Sequence, residues 1–356
     1  MKFKYLLTLL PLFFICSCND DGDSGCTDCN NTNVVVITDD VVVNTTWYAD
    51  SIYVIKAWDF YVTATLTIQP GTIIKFTADG PFMGTSGSGT IVANGTSSSP
   101  IVFTSYKDDA HGGDQNGDGN ATAPASRDWQ EVLVQTNGCT FRHCKFLYGG
   151  DGSYLSTLNI YDVNATIDNC TFAYNHGGKS GAFYYGALDA MNASENTVIT
   201  NNVFYENNLP LSIESVIQID NSNTFHNPDN AGEINKMNGI FVYSYDDFFK
   251  AVSWEETEVP FVINDNDLWI ESGASLTLAE NVVLKFTPTS VIVIGIGATF
   301  NQNASNAFTS FKDDSRLGDT NGDGDATGPM DGDWDGIYDD NLSAYLAWST
   351  ISYDSH

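Results

Sequence analysis

The chain is short of positive charge. Only 14 lysines and arginines stand against 45 aspartates and glutamates in 356 residues, a formal net charge of −31 at pH 7. That deficit argues against nucleic acid as a partner, because such binding rests on basic side chains that neutralise phosphates. A polyanionic glycan would also be repelled unless metal ions bridged it. Membrane-spanning runs are missing: residues 5–15 are apolar but fall short of the ~20 residues a span requires. No stretch holds a helical period for three turns, which argues against a helical bundle. Cysteine is sparse. The pair Cys26 and Cys29 is too small for a zinc site and lacks the βαβ context of a redox motif, leaving a short local disulfide or idle thiols. What the chain does have is 42% hydrophobic and 13% aromatic residues, enough for a core rather than a disordered acidic tail.

The most informative feature present is an internal repeat. Ser105-Tyr106-Lys107-Asp108-Asp109, Asp114-Gln115-Asn116-Gly117-Asp118-Gly119 and Asp128-Trp129 return as Ser310-Phe311-Lys312-Asp313-Asp314, Asp319-Thr320-Asn321-Gly322-Asp323-Gly324 and Asp333-Trp334, at a constant offset of 205. Such a repeat has to be recognised before a fold is inferred. It continues upstream: Tyr53-Val54-Ile55 matches Phe261-Val262-Ile263, and residues 66–77 match 276–287 at an offset of 210. The second copy has therefore lost a few residues between positions 288 and 306. A duplicated solenoid tolerates that trimming, with loops shortened and strands kept.

From Asn33 onward the apolar residues come in short runs rich in Val, Ile and Phe, most of them followed by Gly, Asn, Asp or Ser. This is the pattern of an all-β chain. Between the two copies lies a finer period. His143-Cys144-Lys145-Phe146, Asn169-Cys170-Thr171-Phe172, Asn201-Asn202-Val203-Phe204 and Ser222-Asn223-Thr224-Phe225 share one shape, spaced 26, 32 and 21 residues apart. Each sets a small or amide residue two before a phenylalanine, hence on the same strand face. Stacked with that face inward, Cys144, Cys170, Asn202 and Asn223 form one ladder and the phenylalanines the next.

These repeats, with residues 66–77 and 100–105, resemble the right-handed parallel β-helix of the pectin-lyase-like superfamily, above all its versions in surface lipoproteins of the Bacteroidetes. The resemblance implies an all-β, right-handed parallel β-helix solenoid with inserted Asp-rich loops. Copy one would span 34–246 with a loop at 105–129, and an incomplete copy two 247–356 with a loop at 310–334. Two β-sandwich domains are the alternative, which would explain the duplication but not the phenylalanine ladder. Residues 347–353 align with 142–148 and the chain then stops, so either a partner caps that coil or the protein is longer.

Lys2 and Lys4, the apolar run and a small-residue exit read as a secretory signal. Ile15-Cys16-Ser17-Cys18 resembles the lipobox of bacterial lipoproteins, which implies a signal peptide over 1–17 and lipid on Cys18. Asn19-Asp20-Asp21-Gly22-Asp23 is similar to the acidic sorting signal of surface-exposed lipoproteins, so 18–33 reads as an acidic tether. The implied location is the outer membrane, held by the lipid and facing the cell exterior. A cleaved signal on a soluble secreted protein is the alternative.

The repeated loops set oxygen ligands at alternate positions before a glycine. An EF-hand-type loop uses positions 1, 3 and 5, a glycine at 6, a backbone carbonyl at 7 and a glutamate at 12. Asp114, Asn116, Asp118, Gly119 and Asn120 fill the first five roles in one copy, and Asp319, Asn321, Asp323, Gly324 and Asp325 in the other. Position 12 is Ala125 or Met330. The missing carboxylate must come from Asp108, Asp109 or Asp128, and from Asp313, Asp314 or Asp333 in the second copy. The loops resemble the calcium repeats of dockerins and thrombospondin type 3 modules, and calcium is the expected ion. Ordinary Asn-Gly and Asp-Gly turns with solvated carboxylates are the plain alternative.

Pectate lyases pair calcium with an arginine or lysine base, and polygalacturonases carry Gly-His-Gly and Arg-Ile-Lys signatures. None of these occurs in the sequence, and a fold does not license an activity. His143 and His176 beside glycine-rich turns read as structural. Tyr148, Tyr174, Tyr184 and Tyr185 lie in an aromatic cluster over 148–205 that could stack on sugar rings, against the alternative that such rings fill a core. The expectation is a non-catalytic, calcium-stabilised surface module that binds glycan or another surface ligand. A polysaccharide lyase or hydrolase and a structural spacer are the alternatives.

Overall fold

Short apolar runs separated by turn residues leave no length for a helix, and each run forms a strand of a few residues. The computed structural model describes residues 33–77, 81–244, 248–264 and 267–356. The expected signal peptide, lipidated Cys18, the Cys26 and Cys29 pair and the tether as far as Thr32 lie outside them. Consecutive strands Ser51–Ile55, Asp59–Val62 and Thr65–Ile68 belong to a seven-, a ten- and a six-stranded sheet, and Ile73–Phe76 returns to the first. It pairs there in parallel with Ser51–Ile55, Ile52 opposite Ile73, so one coil takes 21 residues at this point. The fold is a parallel β-helix, and among the described residues there is no α-helix.

The coils are registered by ladders of identical side chains. Phe103, Phe146, Phe172, Phe204 and Phe225 stack with ring centroids 4.7, 4.9, 5.1 and 5.2 Å apart, their planes nearly parallel and the rings wholly buried. Beside them Asn202 Oδ1 accepts from the Cys170 N–H at 2.9 Å, and Asn223 Oδ1 accepts from the Asn202 N–H at 3.0 Å. The buried thiols of Cys144 and Cys170 continue this row, donating to the carbonyls of Ala93 and Phe141. With Cys139 they are free cysteines, as buried thiols usually are.

The ladder exists because of the corners. His143, Asn169 and Asn201 have φ of 47°, 56° and 56°, and Tyr148, Tyr174 and Glu206 have φ of 65°, 60° and 53°. A non-glycine residue pays for that left-handed turn with roughly 1–2 kcal/mol, and a buried N–H beyond it needs an acceptor. At the second corner a further row supplies it: Asn175 Oδ1 accepts from the Gly149 N–H, Asn207 Oδ1 from Asn175 and Asn235 Oδ1 from Asn207, at 2.9–3.2 Å.

The two copies form one compact unit rather than separate bodies. The ten-stranded sheet runs across the boundary between them, Ile240–Tyr243 pairing with Phe261–Ile263. Equivalent strands nonetheless occupy different sheets: Ile101–Ser105 lies in the seven-stranded sheet and its counterpart Ala307–Ser310 in the ten-stranded one. Local packing is reproduced all the same. Trp129 stacks on Phe76 at 4.1 Å and donates its indole N–H to the Leu147 carbonyl; Trp334 stacks on Phe286 at 3.8 Å and donates to Ser352. In the last coil Ile351 pairs with Phe308 as Phe146 pairs with Phe103.

The phenylalanine ladder sets a stability test. Phe172→Ala removes a buried ring between two neighbours and is expected to cost about 3–5 kcal/mol. Tyr161→Ala, at a ring 40% exposed, is expected to change stability by less than about 0.5 kcal/mol. Urea unfolding followed by tryptophan fluorescence compares the two.

Candidate functional site

Both aspartate loops are closed by carboxylates that their own chain satisfies. Thr104 Oγ1 donates to Asp108 Oδ2 and Ser105 Oγ to Asp128 Oδ2, each at 2.6 Å, while the Lys107 ammonium meets Asp128 Oδ1 at 2.7 Å. The second copy repeats the set: Thr309 to Asp313 at 2.6 Å, and Ser310 and Lys312 to Asp333 at 2.7 Å each. Burial alone would raise the Asp108 carboxyl, but hydrogen bonds from His111 and Thr104 outweigh it and hold the group below its ordinary range. Of the flanking carboxylates, Asp108, Asp128, Asp313 and Asp333 are thus engaged in closing the loops.

The remaining carboxylates converge. Oxygens of Asp109, Asp114 and Asp118 lie within 4.8 Å of one another, and so do those of Asp314, Asp319 and Asp323. The loop backbone brings them there. Asp114 accepts from the N–H groups of Gly117 and Gly119 at 2.6 and 2.8 Å, and Asp319 from Gly322 and Gly324 at 2.7 Å each. All four glycines sit at φ between 66° and 74°, a turn at which a side chain would be strained. The Gly119 N–H holds the Asp114 carboxyl below its ordinary range; burial and the charge of Asp319 push Asp314 up. Asn116 and Asn321 accept from the N–H of Asp118 and Asp323 inside the loop, and Asn120 and Asp325 are exposed.

One oxygen in each triad has no protein partner. Asp109 Oδ1 and Asp314 Oδ1 are buried without a hydrogen bond, and among the described residues they are the one such pair related by the internal repeat. A buried carboxylate oxygen left without a donor costs about 1–3 kcal/mol or more. Three convergent carboxylates are oxygen donors of the kind a hard divalent cation takes, so the residues present fit such an ion.

Each loop rests on a lysine that sequence reasoning missed. Lys75 and Lys285 are wholly buried. Lys75 Nζ donates to the carbonyls of Asp108 and Gly113 at 2.8 and 2.7 Å, and Lys285 Nζ to the Gly318 carbonyl and Thr320 Oγ1 at 2.6 Å each. Burial pushes both amines down, Lys285 to about 8. The signal was present: Lys75-Phe76 and Lys285-Phe286 are repeated, and each lysine interrupts an otherwise apolar strand.

The tyrosines divide. Tyr148 and Tyr174 stack at 5.4 Å on the outer surface with Tyr205 edge-on to Tyr174 at 5.7 Å, and Tyr185 meets Tyr154. Tyr184 departs from the expectation of a ligand-facing ring. It is 8% exposed, packed between Phe241 and Phe311, because the hairpin of strands Gly178–Ser180 and Phe183–Tyr185 folds over the ten-stranded sheet. A cleft of about 550 Å³ lies between the two aspartate loops, bordered by Ser126 of the first and by Gly318 and Asp319 of the second, with Glu206 and Lys236 in its wall.

A family model described as a pectate-lyase-like β-helix domain matches residues 37–123. Over that stretch the chain is similar to pectate-lyase-like β-helices. The match takes in the first coils and the first loop as far as Ala123. No curated protein and no solved structure gives a significant match.

Two acids outside the loops, Glu131 and Asp189, are buried. Glu131 accepts from Ser156 and Asn159, and Asp189 from the Met191 N–H and Ser212. Burial raises each carboxyl to about 7. An acid raised on folding contributes stability that is full below its unfolded value, near 4, and lost as pH rises through 7. Melting temperature is therefore expected to fall between pH 5 and 8, and the pair Glu131→Gln and Asp189→Asn to flatten that fall. A melt series that leaves the slope unchanged would refute it.

Proposed function

We propose that the protein is a non-catalytic, calcium-stapled β-helix anchored at the cell surface through lipid on Cys18, where it binds glycan or another surface ligand. The observation that carries the reading is the repeated triad, each with a buried carboxylate oxygen lacking a protein donor. Extracellular calcium sites bind at about 10⁻⁴–10⁻³ M. At about 1 mM calcium each then contributes on the order of 1 kcal/mol, which suits a staple for a long inserted loop.

The non-catalytic part rests on the basic groups. A lyase needs a base that reaches its substrate. Lys75 and Lys285 are wholly buried with their ammonium groups donating to the loop, and Lys107 and Lys312 are paired with Asp128 and Asp333. The glycan part rests on the outer ring row of Tyr148, Tyr174 and Tyr205, a surface on which sugar rings stack. One observation favours a polysaccharide lyase instead: Lys236 lines the cleft that Asp319 of the second triad borders, a basic group beside the aspartates.

Two experiments test these parts separately. Chelation should lower the melting temperature by about 2–6 °C, and the double variant Asp114→Ala, Asp319→Ala should lose that sensitivity; a melt indifferent to chelator removes calcium from the account. Incubation of the lipid-free protein with plant and algal polysaccharides, following unsaturated and reducing ends alongside retention on insoluble glycans, addresses the ligand. Retention without turnover is expected, weakened by Tyr174→Ala. Calcium-dependent turnover would replace the binding module with the lyase.

A further inference from the structure

The outer face of the sheet formed by Asp267–Ile270, Val291–Ile294, Gly336–Asp339 and Ala344–Tyr345 is unlike the rest of the surface. Its register sets one row across four strands: Trp269 opposite Val293, Val293 opposite Tyr338 and Tyr338 opposite Tyr345. The alternate residues Leu268, Ile270, Ile292, Ile294 and Ile337 belong to the core, so this row points outward. Large rings at both ends and a valine between them make a hollow of about 360 Å³. Beside the row, Val291 pairs with Gly336, whose φ of 106° and missing side chain leave room for the Tyr345 ring.

The chemistry of the hollow is one-sided. Trp269 and Tyr345 are 42% and 38% exposed, and Tyr338 meets Tyr345 at 5.0 Å and 69°, so the two tyrosines form a corner facing the indole across the valines. Asp267, Asp335 and Asp340 complete the lining, and among the described residues no lysine or arginine contributes to it. His356 stacks on Tyr345 at 3.5 Å. Three electron-rich rings and three carboxylates set against a valine floor attract a cation with an apolar shell. A polyanion would be repelled, and a neutral sugar would desolvate carboxylates without neutralising them. The volume is at the small end of ligand pockets, about 300–1,000 Å³.

We propose that this hollow binds a small organic cation, a ligand carrying an alkylammonium group that sits over Val291 and Val293 between Trp269 and the tyrosine corner, its charge facing the three aspartates. The site is remote in sequence from the tyrosine row of the glycan reading and independent of it.

Calorimetric titration of the full chain with choline tests the proposal in low salt with calcium present. Neutral 3,3-dimethylbutan-1-ol, which keeps the shape without the charge, and neutral cellobiose are the comparisons. Choline is expected to bind, the neutral alcohol about tenfold more weakly, and cellobiose not at all. Trp269→Leu should weaken choline about tenfold while Trp269→Phe retains most of it, both melting as the parent does. Asp335→Asn should reduce both affinity and its salt dependence. Equal binding of the alcohol, binding of cellobiose that Trp269→Leu abolishes, or choline binding indifferent to Trp269→Leu would each overturn it.

Discussion

The middle coils of this helix, from His143 to Glu206, turn through left-handed corners, and the N–H groups beyond them are met by side chains inside the helix rather than by water. That constraint selects the residue that follows. At Asn175, Asn202 and Asn207 the side chain answers the amide of the coil before while its own amide is answered by the coil after. The side-chain NH₂ donates inward as well, Asn175 to the Phe146 carbonyl and Asn207 to that of Phe172. One residue type thus serves as acceptor and donor within the same turn, which is why a leucine of equal size would not serve. With the corners fixed, coil heights are fixed, and the phenylalanine rings two residues on have no choice but to stack.

The aspartate loops depend on the same registration. A loop of some two dozen residues would wander unless its ends were held, and they are held by groups projecting from adjacent coils: Lys75 below, Thr104 and Ser105 at the departure, and Trp129 on Phe76 at the return. The second copy keeps this set on a different sheet of the helix. The unit that was duplicated is therefore the local arrangement of two coils and a loop, indifferent to which face of the solenoid carries it. A consequence follows for the surface. Loops that start on different sheets come to border one cleft.

Much of this was legible because repetition makes inward-facing residues visible. The row of Cys144, Cys170, Asn202 and Asn223 and the phenylalanine ladder could be read from spacing alone, since a period shared by four segments leaves one face to bury. The second amide row was not read, although Asn175 and Asn207 each stand three residues after a ladder phenylalanine, because its first member is Gly149 and breaks the pattern. Lys75 and Lys285 were passed over because a lysine in a strand is ordinarily an exposed residue. Sequence likewise offered six flanking aspartates without ranking them. The ranking is set by hydroxyl donors at strand ends, Thr104, Ser105, Thr309 and Ser310, which take up four of the six and leave Asp109 and Asp314 free.

The placement of negative charge gives the molecule its division of labour. Acids buried beneath the sheets, Glu131, Asp189 and Glu256, have their carboxyls raised to about 7, so near neutrality a fraction of each is uncharged and their burden on the core is reduced. Acids at the loop bases are each met by a lysine or a hydroxyl. The triads are relieved only in part: Thr122 and Thr327 donate to Asp118 and Asp323 and burial raises Asp314, while Asp109 Oδ1 and Asp314 Oδ1 are left without a donor. Their members lie too close to ionise without mutual repulsion, and the nearest cation is a lysine whose hydrogen bonds are already directed at carbonyls. In a chain carrying −31, two such concentrations of charge add to the self-repulsion that a bound cation, as proposed above, would relieve. The hollow at Trp269 spreads its carboxylates around an apolar floor where the triads offer oxygen alone, so under the two proposals above the sites would select cations by hardness: a bare ion at the triads, a shielded one where rings line the wall.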